Sequence, residues 1–324
     1  MSKPIMRIVN LKTYFPIGKN DGTMRYVKAV DDVSLDIGQG EILGLVGESG
    51  SGKSTIAYTI MGMCKPTSGH ILFDENVLQS DSKKRPLMLK RDIQIVFQDP
   101  GSSLNAQQSV KEILELPLKV HSICSDKRAL ERKVAELLEM VELPRHYMYK
   151  TPLSMGGGER QMVAIARALA TDPRFIILDE PTSALDVSIQ AKIINMLLRL
   201  QKEKNLTYMF ITHDLSLMRN IATRVAILYL GKVAEVAPTN VFFKIPKHPY
   251  TQMLLSSIPV LSEEEELMKP SKVESIGEIP SPVDIPPGCS FHLRCHQRID
   301  LCDKIDPNMH LLSEHHFVRC HLYG

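Results

Sequence analysis

The most informative segment of the chain is residues 41–54, which run EILGLVGESGSGKS. Its apolar first half predicts a buried strand, and Thr55–Met63 has the apolar spacing of a helix. Glycines between a strand and a helix let backbone N–H groups point at phosphate oxygens, and the helix N-terminus adds the positive end of its dipole. The order strand, glycine loop, helix therefore predicts a phosphate-binding loop of the form GxxxxGKS.

The side chains of this phosphate loop, residues 47–54, have predicted roles of their own. Lys53 adds a positive charge for the β- and γ-phosphates, and the Ser54 hydroxyl is a candidate Mg²⁺ ligand. The residues expected to bind nucleotide here are Gly47, Ser49, Gly50, Ser51, Gly52, Lys53, Ser54 and Thr55.

A second segment, FIILDE at residues 175–180, predicts a buried strand that ends in two carboxylates. The carboxyl end of such a strand is the usual ligand-binding edge of a parallel sheet. We expect Asp179 to ligate Mg²⁺ and Glu180 to orient the attacking water. An acidic turn without function is the alternative, and the phosphate loop upstream makes it the weaker one.

Composition narrows the class of protein. The 324 residues carry 39 Lys and Arg against 37 Asp and Glu, a net charge of +2, so no basic surface for nucleic acid is expected. The apolar runs are far shorter than the roughly 18 residues that span a bilayer. The start of the chain lacks an apolar secretory segment, and we expect the protein to stay in the cytoplasm.

The pattern along the chain predicts an α/β protein. Residues 5–37 favour strands, and residues 110–144 favour a helical insertion with Ser125 as a helix N-cap. From residue 159 onward helices and strands alternate, which indicates a parallel sheet covered by helices. Beyond Pro259 the chain is rich in proline and glutamate, which predicts a solvated linker.

Three further motifs follow in a fixed order: Phe97-Gln98-Asp99-Pro100, Ser183-Ala184-Leu185-Asp186 and Thr212-His213-Asp214. With the phosphate loop they make residues 5–258 resemble the ATP-binding subunit of an ABC transporter. The resemblance implies a P-loop NTPase with a RecA-like core, a β-rich N-terminal subdomain, a helical subdomain at about 100–170, and domains 1–258 and 259–324.

The same resemblance assigns roles to single residues. It implies that Gln98 contacts Mg²⁺ and water, that Asp186 belongs to a loop crossing to a partner subunit, and that His213 is the switch histidine. The aromatic residue that stacks on adenine falls near Tyr14, with Phe15 and Tyr26 as alternatives.

The signature loop of this family is Leu-Ser-Gly-Gly followed by Gln or Glu, Arg and Gln, and residues 152–161 read PLSMGGGERQ instead. An ungapped alignment puts Gly156, Gly157 and Gly158 at the γ-phosphate of the partner's nucleotide and replaces the family serine by Gly156. Such a loss removes one hydrogen bond to a charged group, worth about 1.5–3 kcal/mol. A two-residue insertion that lets Ser154 reach the nucleotide is the alternative.

Within the family, His248-Pro249-Tyr250-Thr251 and Pro286-Pro287-Gly288-Cys289 resemble the dipeptide/oligopeptide importers, and the chain is more similar to the second of their two ATPase subunits. This implies a non-identical ATPase partner, two transmembrane permease subunits, an extracellular or periplasmic solute-binding protein, and a place at the cytoplasmic face of the membrane. Import of oligosaccharides or nickel complexes, a soluble ABC ATPase acting on nucleic acid, and a small-molecule kinase are the alternatives.

Four of the six cysteines lie in the last 36 residues: Cys289, Cys295, Cys302 and Cys320. Thiols alone are the ligands that iron-sulfur clusters take, and the resemblance implies a 4Fe-4S cluster here. Zinc is the second candidate because histidines lie nearby, although the tight Cys-x2-4-Cys spacing is missing. Four unligated thiols are the third alternative.

Overall fold

The structure is a computed structural model that describes residues 3–20, 22–183, 185–258 and 277–324. The chain forms two compact units. The first unit consists of residues 1–81 and 211–324, and the second unit consists of residues 82–210.

The first unit contains an antiparallel group of strands, made by residues that alternate between core and solvent. Met6 and Ile8 are buried, but strict alternation would then bury Asn10. A register shift between Ile8 and Leu11 turns the strand so that Leu11 is buried instead. These strands are β1 (Pro4–Asn20), β2 (Thr23–Gly38), β4 (Ser68–Phe73) and β5 (Asn76–Val77), in the order β2-β1-β4-β5.

The other strands of the first unit carry the phosphate loop. They are β3 (Ile42–Val46), β9 (Arg224–Tyr229), β10 (Lys232–Pro238), β11 (Met309–Ser313) and β12 (His316–Arg319), in the order β11-β12-β10-β9-β3. β3 runs parallel to β9, and β12 pairs antiparallel with β10. The C-terminal segment, residues 277–324, thus adds two strands to the sheet from which the phosphate loop emerges.

The described residues of the first unit include the helices α1 (Lys53–Ile60), α8 (Leu215–Ile221), α9 (Thr239–Lys244) and α10 (Pro249–Ser256). The phosphate loop connects β3 directly to α1. α8 lies against β3, where Gly44 leaves room for the Met218 side chain.

The second unit combines parallel strands with a group of helices. Its strands are β6 (Ile93–Val96), β7 (Phe175–Asp179) and β8 (Thr207–Thr212), in the order β8-β7-β6, and β8 ends two residues inside the first unit. Its helices are α2 (Leu87–Asp92), α3 (Pro100–Ser103), α4 (Val110–Val120), α5 (Lys127–Met140), α6 (Gly157–Leu169) and α7 (Val187–Lys204).

Local predictions agree with these bounds, with one correction. The strand before the phosphate loop, the helix after it, and the strand that carries the acidic pair are confirmed. The predicted N-cap Ser125 is wrong, because Asp126 accepts a hydrogen bond from the Ala129 N–H at 2.8 Å and begins α5.

The boundary predicted between residues 258 and 259 stays a prediction, as does the helical subdomain at 100–170. Most of the predicted proline-rich linker, residues 259–276, lies outside the described residues. In the described part of the chain, no helix combines the length and the apolar character needed to cross a membrane.

Candidate functional site

The phosphate loop is shaped by glycines that admit no side chain. A Cβ on Gly47 would lie 2.2 Å from the Leu228 carbonyl oxygen, and a Cβ on Gly52 would lie 2.0 Å from the Ala29 carbonyl oxygen. Gly52 also has a φ of +105°, which L side chains rarely adopt. Glycine is therefore required at both ends of the loop by its surroundings.

Lys53 lies at the start of α1 and is only 6% exposed. Its ammonium group donates hydrogen bonds to the carbonyl oxygens of Gly47 at 2.7 Å and Glu48 at 3.0 Å. No side chain of the described residues caps the N-terminus of α1. A buried ammonium group at the N-terminus of a helix, where the helix dipole is positive, fits the terminal phosphates of ATP.

The hydroxyl residues of the loop differ in exposure. Ser51 is buried, Ser54 and Thr55 are half-buried, and Ser49 is exposed. The Ser51 carbonyl oxygen accepts a hydrogen bond from the Gly231 N–H at 2.9 Å, which ties the loop to the turn between β9 and β10.

Glu48, the second residue of the loop, is held by the C-terminal segment. Arg294 donates two hydrogen bonds to its carboxylate, Nη1 to Oε2 at 2.8 Å and Nη2 to Oε1 at 3.1 Å. The Glu48 N–H donates to the Tyr250 hydroxyl at 3.3 Å. Sequence reasoning missed the Glu48–Arg294 pair because its members are 246 positions apart and no local pattern connects them.

Arg294 itself is 5% exposed, at the end of a short 3₁₀ helix. Burial lowers the pKa of its guanidinium, but the hydrogen bonds and charge of Glu48 outweigh burial and leave that pKa above its ordinary value. The Arg294 guanidinium is therefore positively charged at neutral pH.

Tyr14 is half-buried on β1, and its hydroxyl donates to Asp31 Oδ1 at 2.5 Å. Burial and the bond to Asp31 raise the pKa of Tyr14 above its ordinary value. The other two aromatic candidates are more open, with Phe15 38% and Tyr26 42% exposed. The adenine-stacking role of Tyr14 stays a prediction.

In the second unit the structure brings Gln98 and Glu180 together. Gln98 Nε2 donates to Glu180 Oε2 at 2.9 Å. Glu180 has a φ of +46°, an uncommon value for a residue with a side chain, and it directly follows the fully buried Asp179 at the end of β7. The predicted role of Glu180 as the residue that orients the attacking water stays a prediction.

The predicted Mg²⁺ ligands Ser54, Gln98 and Asp179 supply hydroxyl, amide and carboxylate oxygens, and Mg²⁺ prefers oxygen ligands. Ser54 belongs to the first unit, and Gln98 and Asp179 belong to the second. Their donor chemistry fits the ion, and their assignment as ligands stays a prediction.

Two other predicted residues lie at helix starts. Asp186 caps α7, where its carboxylate accepts hydrogen bonds from Ser188 Oγ at 2.7 Å and the Ile189 N–H at 3.0 Å, and these bonds lower its pKa. His213 is exposed and follows β8. Ala184 lies outside the described residues, so the loop between Ser183 and Asp186 is described only in part.

The signature loop ends at the N-terminus of α6. Gly156 is the N-cap residue, and its N–H donates to Glu159 Oε2 at 2.9 Å. Hydrogen bonds from the Tyr147 hydroxyl and from Gly156 lower the pKa of Glu159.

Ser154, the alternative serine of the signature loop, lies in a short 3₁₀ helix, and its hydroxyl donates to the Thr151 carbonyl oxygen at 2.8 Å. Gly157 and Gly158 form the first turn of α6.

A buried polar cluster fixes the C-terminal segment to the sheet. Glu235 on β10 is fully buried and accepts hydrogen bonds from the N–H groups of Lys247 at 2.9 Å and His248 at 2.8 Å. His316 Nε2 on β12 lies 2.8 Å from Glu235 Oε1. Burial outweighs the charge of Glu235 and lowers the pKa of His248 to about 4.

The predicted 4Fe-4S cluster, and metal binding by the cysteines altogether, is wrong. Across residues 3–20, 22–183, 185–258 and 277–324, no group of three or more His, Cys, Asp or Glu is placed to hold a metal ion. Burial raises the pKa of the Cys289 thiol to about 12 and that of Cys295 to about 11, so both are protonated at neutral pH. With Cys302 and Cys320, they are free thiols that pack inside the first unit.

Comparison with known families matches two parts of the chain. Residues 30–183 match the ABC transporter family, and residues 234–302 match the C-terminal region of the oligopeptide/dipeptide transporter family. The first match includes the phosphate loop, Gln98 and Glu180, and the second includes Arg294.

Individual relatives match almost the whole chain. The oligopeptide transport ATP-binding protein AppF of Bacillus subtilis is 44% identical over 323 residues, which cover 99% of this chain and 98% of that protein. The dipeptide transport ATP-binding protein DppF of Haemophilus influenzae is 39% identical over 319 residues, which cover 98% of this chain and 96% of that protein.

A solved structure is also similar. A dimeric ATP-binding cassette in a post-hydrolysis state with ADP and Pi superposes with a TM-score of 0.63 at 30% identity, covering 72% of this chain and 98% of that chain. This similarity confirms the α/β phosphate-loop ATPase fold predicted from the sequence.

Proposed function

The chain belongs to the ATP-binding proteins of ABC transporters, in the oligopeptide/dipeptide group, and from that premise we propose that its ATPase activity powers peptide import. The observation that carries the nucleotide part is the phosphate loop. Its buried Lys53 lies at the N-terminus of α1, and the backbone shape of the loop requires glycine at positions 47 and 52.

The hydrolytic step is assigned to the second unit. Glu180 orients and polarises the attacking water, and Gln98 holds the Glu180 carboxylate through its amide at 2.9 Å. Mg²⁺, when bound with ATP, offsets the charge that develops on the phosphate oxygens. Ser54, Gln98 and Asp179 are the proposed ligands. His213 contacts the γ-phosphate as the switch residue, and Asp186 and Gly156–Gly158 act toward the partner's nucleotide.

The proposed cargo is a peptide, since the names of AppF and DppF specify oligopeptide and dipeptide transport. The proposed assembly contains a second, non-identical ATPase chain, two permease subunits that cross the membrane and a solute-binding protein. The chain then works at the cytoplasmic face of the membrane, attached through the permeases.

Nucleotide binding is tested on the full-length chain with a fluorescent ATP analogue and Mg²⁺. Lys53→Met should weaken binding by about 100-fold, because one charged donor to the phosphates is lost. Lys65→Met, at an exposed lysine beyond α1, is the control and should bind like the wild type. Absence of binding by the wild-type chain, or equal binding by the Lys53 variant, would refute the assignment.

The cargo is tested on the complex purified from its native membrane with all its subunits. Mass spectrometry identifies the subunits and bound solute, and ATP hydrolysis is then measured in vesicles with a peptide mixture, an oligosaccharide mixture or a nickel complex. Stimulation by peptides alone supports the proposal. Stimulation by another solute class, or a complex without permeases, contradicts it.

A further inference from the structure

We infer that Arg294 is a positioning residue for the phosphate loop: it holds and neutralises Glu48, so that ATP affinity depends on the C-terminal segment. This inference rests on the proposed nucleotide binding. It gives residues 277–324 a part in the nucleotide site beyond their place in the sheet.

Glu48 is fastened by each of its polar groups. Its carboxylate receives both Nη atoms of Arg294 at 2.8 and 3.1 Å, and its N–H donates to the Tyr250 hydroxyl at 3.3 Å. Its carbonyl oxygen accepts from Lys53 Nζ at 3.0 Å. A shift of Glu48 would therefore displace an oxygen that positions the phosphate-binding lysine.

Charge gives the contact a second effect. Glu48 carries the only carboxylate of residues 47–54, a loop built to receive polyanionic phosphates. An unpaired negative charge there repels the nucleotide, and the interaction is strong where water is partly excluded. The fork of hydrogen bonds from Arg294 turns the carboxylate toward the C-terminal segment and cancels its charge.

Arg294 reaches Glu48 from a firmly packed base. It ends the 3₁₀ helix His292–Arg294, and its N–H donates to the Phe291 carbonyl oxygen at 2.9 Å. Its guanidinium carbon lies 5.8 Å from the ring centres of both Tyr229 and Phe291. Phe291 is 2% exposed, so the base is part of the core of the first unit.

The chain offers a matched control in Arg298. It lies four residues further along the same segment, is 43% exposed, and pairs with Asp303 at 2.7 Å inside the segment. Both arginines thus hold a carboxylate, but only the partner of Arg294 belongs to the phosphate loop.

The experiment measures binding of a fluorescent ATP analogue with Mg²⁺ to the full-length chain. Arg294→Gln should weaken binding about tenfold, since removal of one partner leaves the other as an uncompensated charge. Arg298→Gln should stay within about twofold of the wild type, because an exposed pair contributes little. Arg294→Lys should recover part of the loss, since it keeps the charge without the fork.

The double variant Glu48→Gln/Arg294→Gln separates positioning by charge from general support of the fold. Removal of the unpaired carboxylate should restore affinity to within about threefold of the wild type. In the assembled transporter, Arg294→Gln should raise KM for ATP and leave kcat nearly unchanged.

Each outcome decides a separate point. If the wild-type chain binds no ATP, the proposed function fails. If it binds and the folded Arg294→Gln variant binds equally well, or the double variant is no better than the single one, the inference about Arg294 is overturned. Should Arg294→Gln unfold, the double variant decides. Binding within about threefold of the wild type supports the inference, and weaker binding overturns it.

Discussion

The phosphate loop and the signature loop are both glycine-rich and both lead into a helix, but Gly47 and Gly52 differ from Gly156 in the space available for a side chain. Gly47 and Gly52 are forced, because a Cβ would lie 2.2 and 2.0 Å from carbonyl oxygens. At Gly156 the nearest atom to a Cβ is Glu159 Oε2 at 3.8 Å, so the position has room for a side chain. Glycine is thus sterically required at positions 47 and 52 of the phosphate loop, whereas position 156 of the signature loop can accept a side chain.

The two helix starts also differ in the side chains at their N-termini. Lys53, the first residue of α1, turns its ammonium group back to the carbonyl oxygens of Gly47 and Glu48, whereas Glu159 in the first turn of α6 binds the Gly156 N–H through its carboxylate. The first helix start therefore carries a positive side chain and the second a negative one, so the first is better suited to bind phosphate.

The largest effect is expected at a forced glycine. Gly52→Ala should weaken ATP binding by about 1,000-fold, because a Cβ at a φ of +105° collides with the Ala29 carbonyl and distorts the loop. Binding of a fluorescent ATP analogue measures this. Gly22→Ala is the control, since Gly22 has a φ of +79° with no neighbour within 4 Å, and it should cost only about 1 kcal/mol of stability. Equal binding by the Gly52 variant would remove the contrast between the loops.

The next effect separates binding from hydrolysis. Glu180→Gln should lower ATP turnover of the assembled complex about 100-fold, because an amide cannot polarise the attacking water. ATP binding should persist, since the phosphate loop is intact. Glu203→Gln, at an exposed carboxylate of α7 paired with Arg199, serves as the control. Turnover that survives the Glu180 change would mean that another residue orients the water.

A smaller effect concerns the free energy of unfolding of the first unit, which contains the phosphate loop, at acidic pH. His248 has a pKa of about 4 in the folded chain, so the unfolded chain binds its proton first as the pH falls. Its contribution to stability is complete above about pH 6.5 and is lost toward pH 4, by about 1.4 kcal/mol per pH unit.

Urea unfolding of wild type and His248→Asn at pH 7 and pH 5 tests this. Asparagine keeps an acceptor for the Tyr250 N–H, which His248 Nδ1 now binds at 3.0 Å. The variant should lose about 2 kcal/mol less than the wild type between the two pH values. His146→Asn, at an exposed histidine of the second unit, is the control. Equal pH dependence of wild type and variant would contradict the assignment.

The smallest effect is expected at the unforced glycine. Gly156→Ser should raise turnover of the assembled complex about threefold, because the space is open and one hydroxyl regains a hydrogen bond to a charged phosphate at one of the sites. Ser154→Ala decides between the alignments and should leave turnover unchanged. A drop with Ser154→Ala, or no gain with Gly156→Ser, would favour the two-residue insertion.

Sequence reasoning succeeded where the signal is local. The strand before Gly47 and the strand that ends at Asp179 are continuous apolar runs. Each is followed at once by residues of a specific chemistry, so one short segment predicts both the strand and the candidate site residues at its end. The Asp126 cap was missed in favour of its neighbour because Ser125 has the same capping chemistry, and only the backbone conformation distinguishes them.

Sequence reasoning failed where the signal is long-range. Glu48 and Arg294 are each ordinary charged residues in their local context, and they meet only in the folded first unit. The cysteines misled for the opposite reason. Their clustering and the family resemblance suggested metal ligands, but clustering in sequence does not distinguish a thiolate that binds metal from a buried thiol such as Cys302.

The interleaved layout of the chain also sets an order of events during synthesis. The second unit is one continuous stretch, residues 82–210, whereas the first needs both ends of the polypeptide. During synthesis the second unit can fold before the chain is finished. β3 cannot pair with β9 until β9 has been synthesised. A nascent chain that stops near residue 210 would leave the edge of β3 that faces β9 unpaired. Chaperones and proteases recognise such exposed edges.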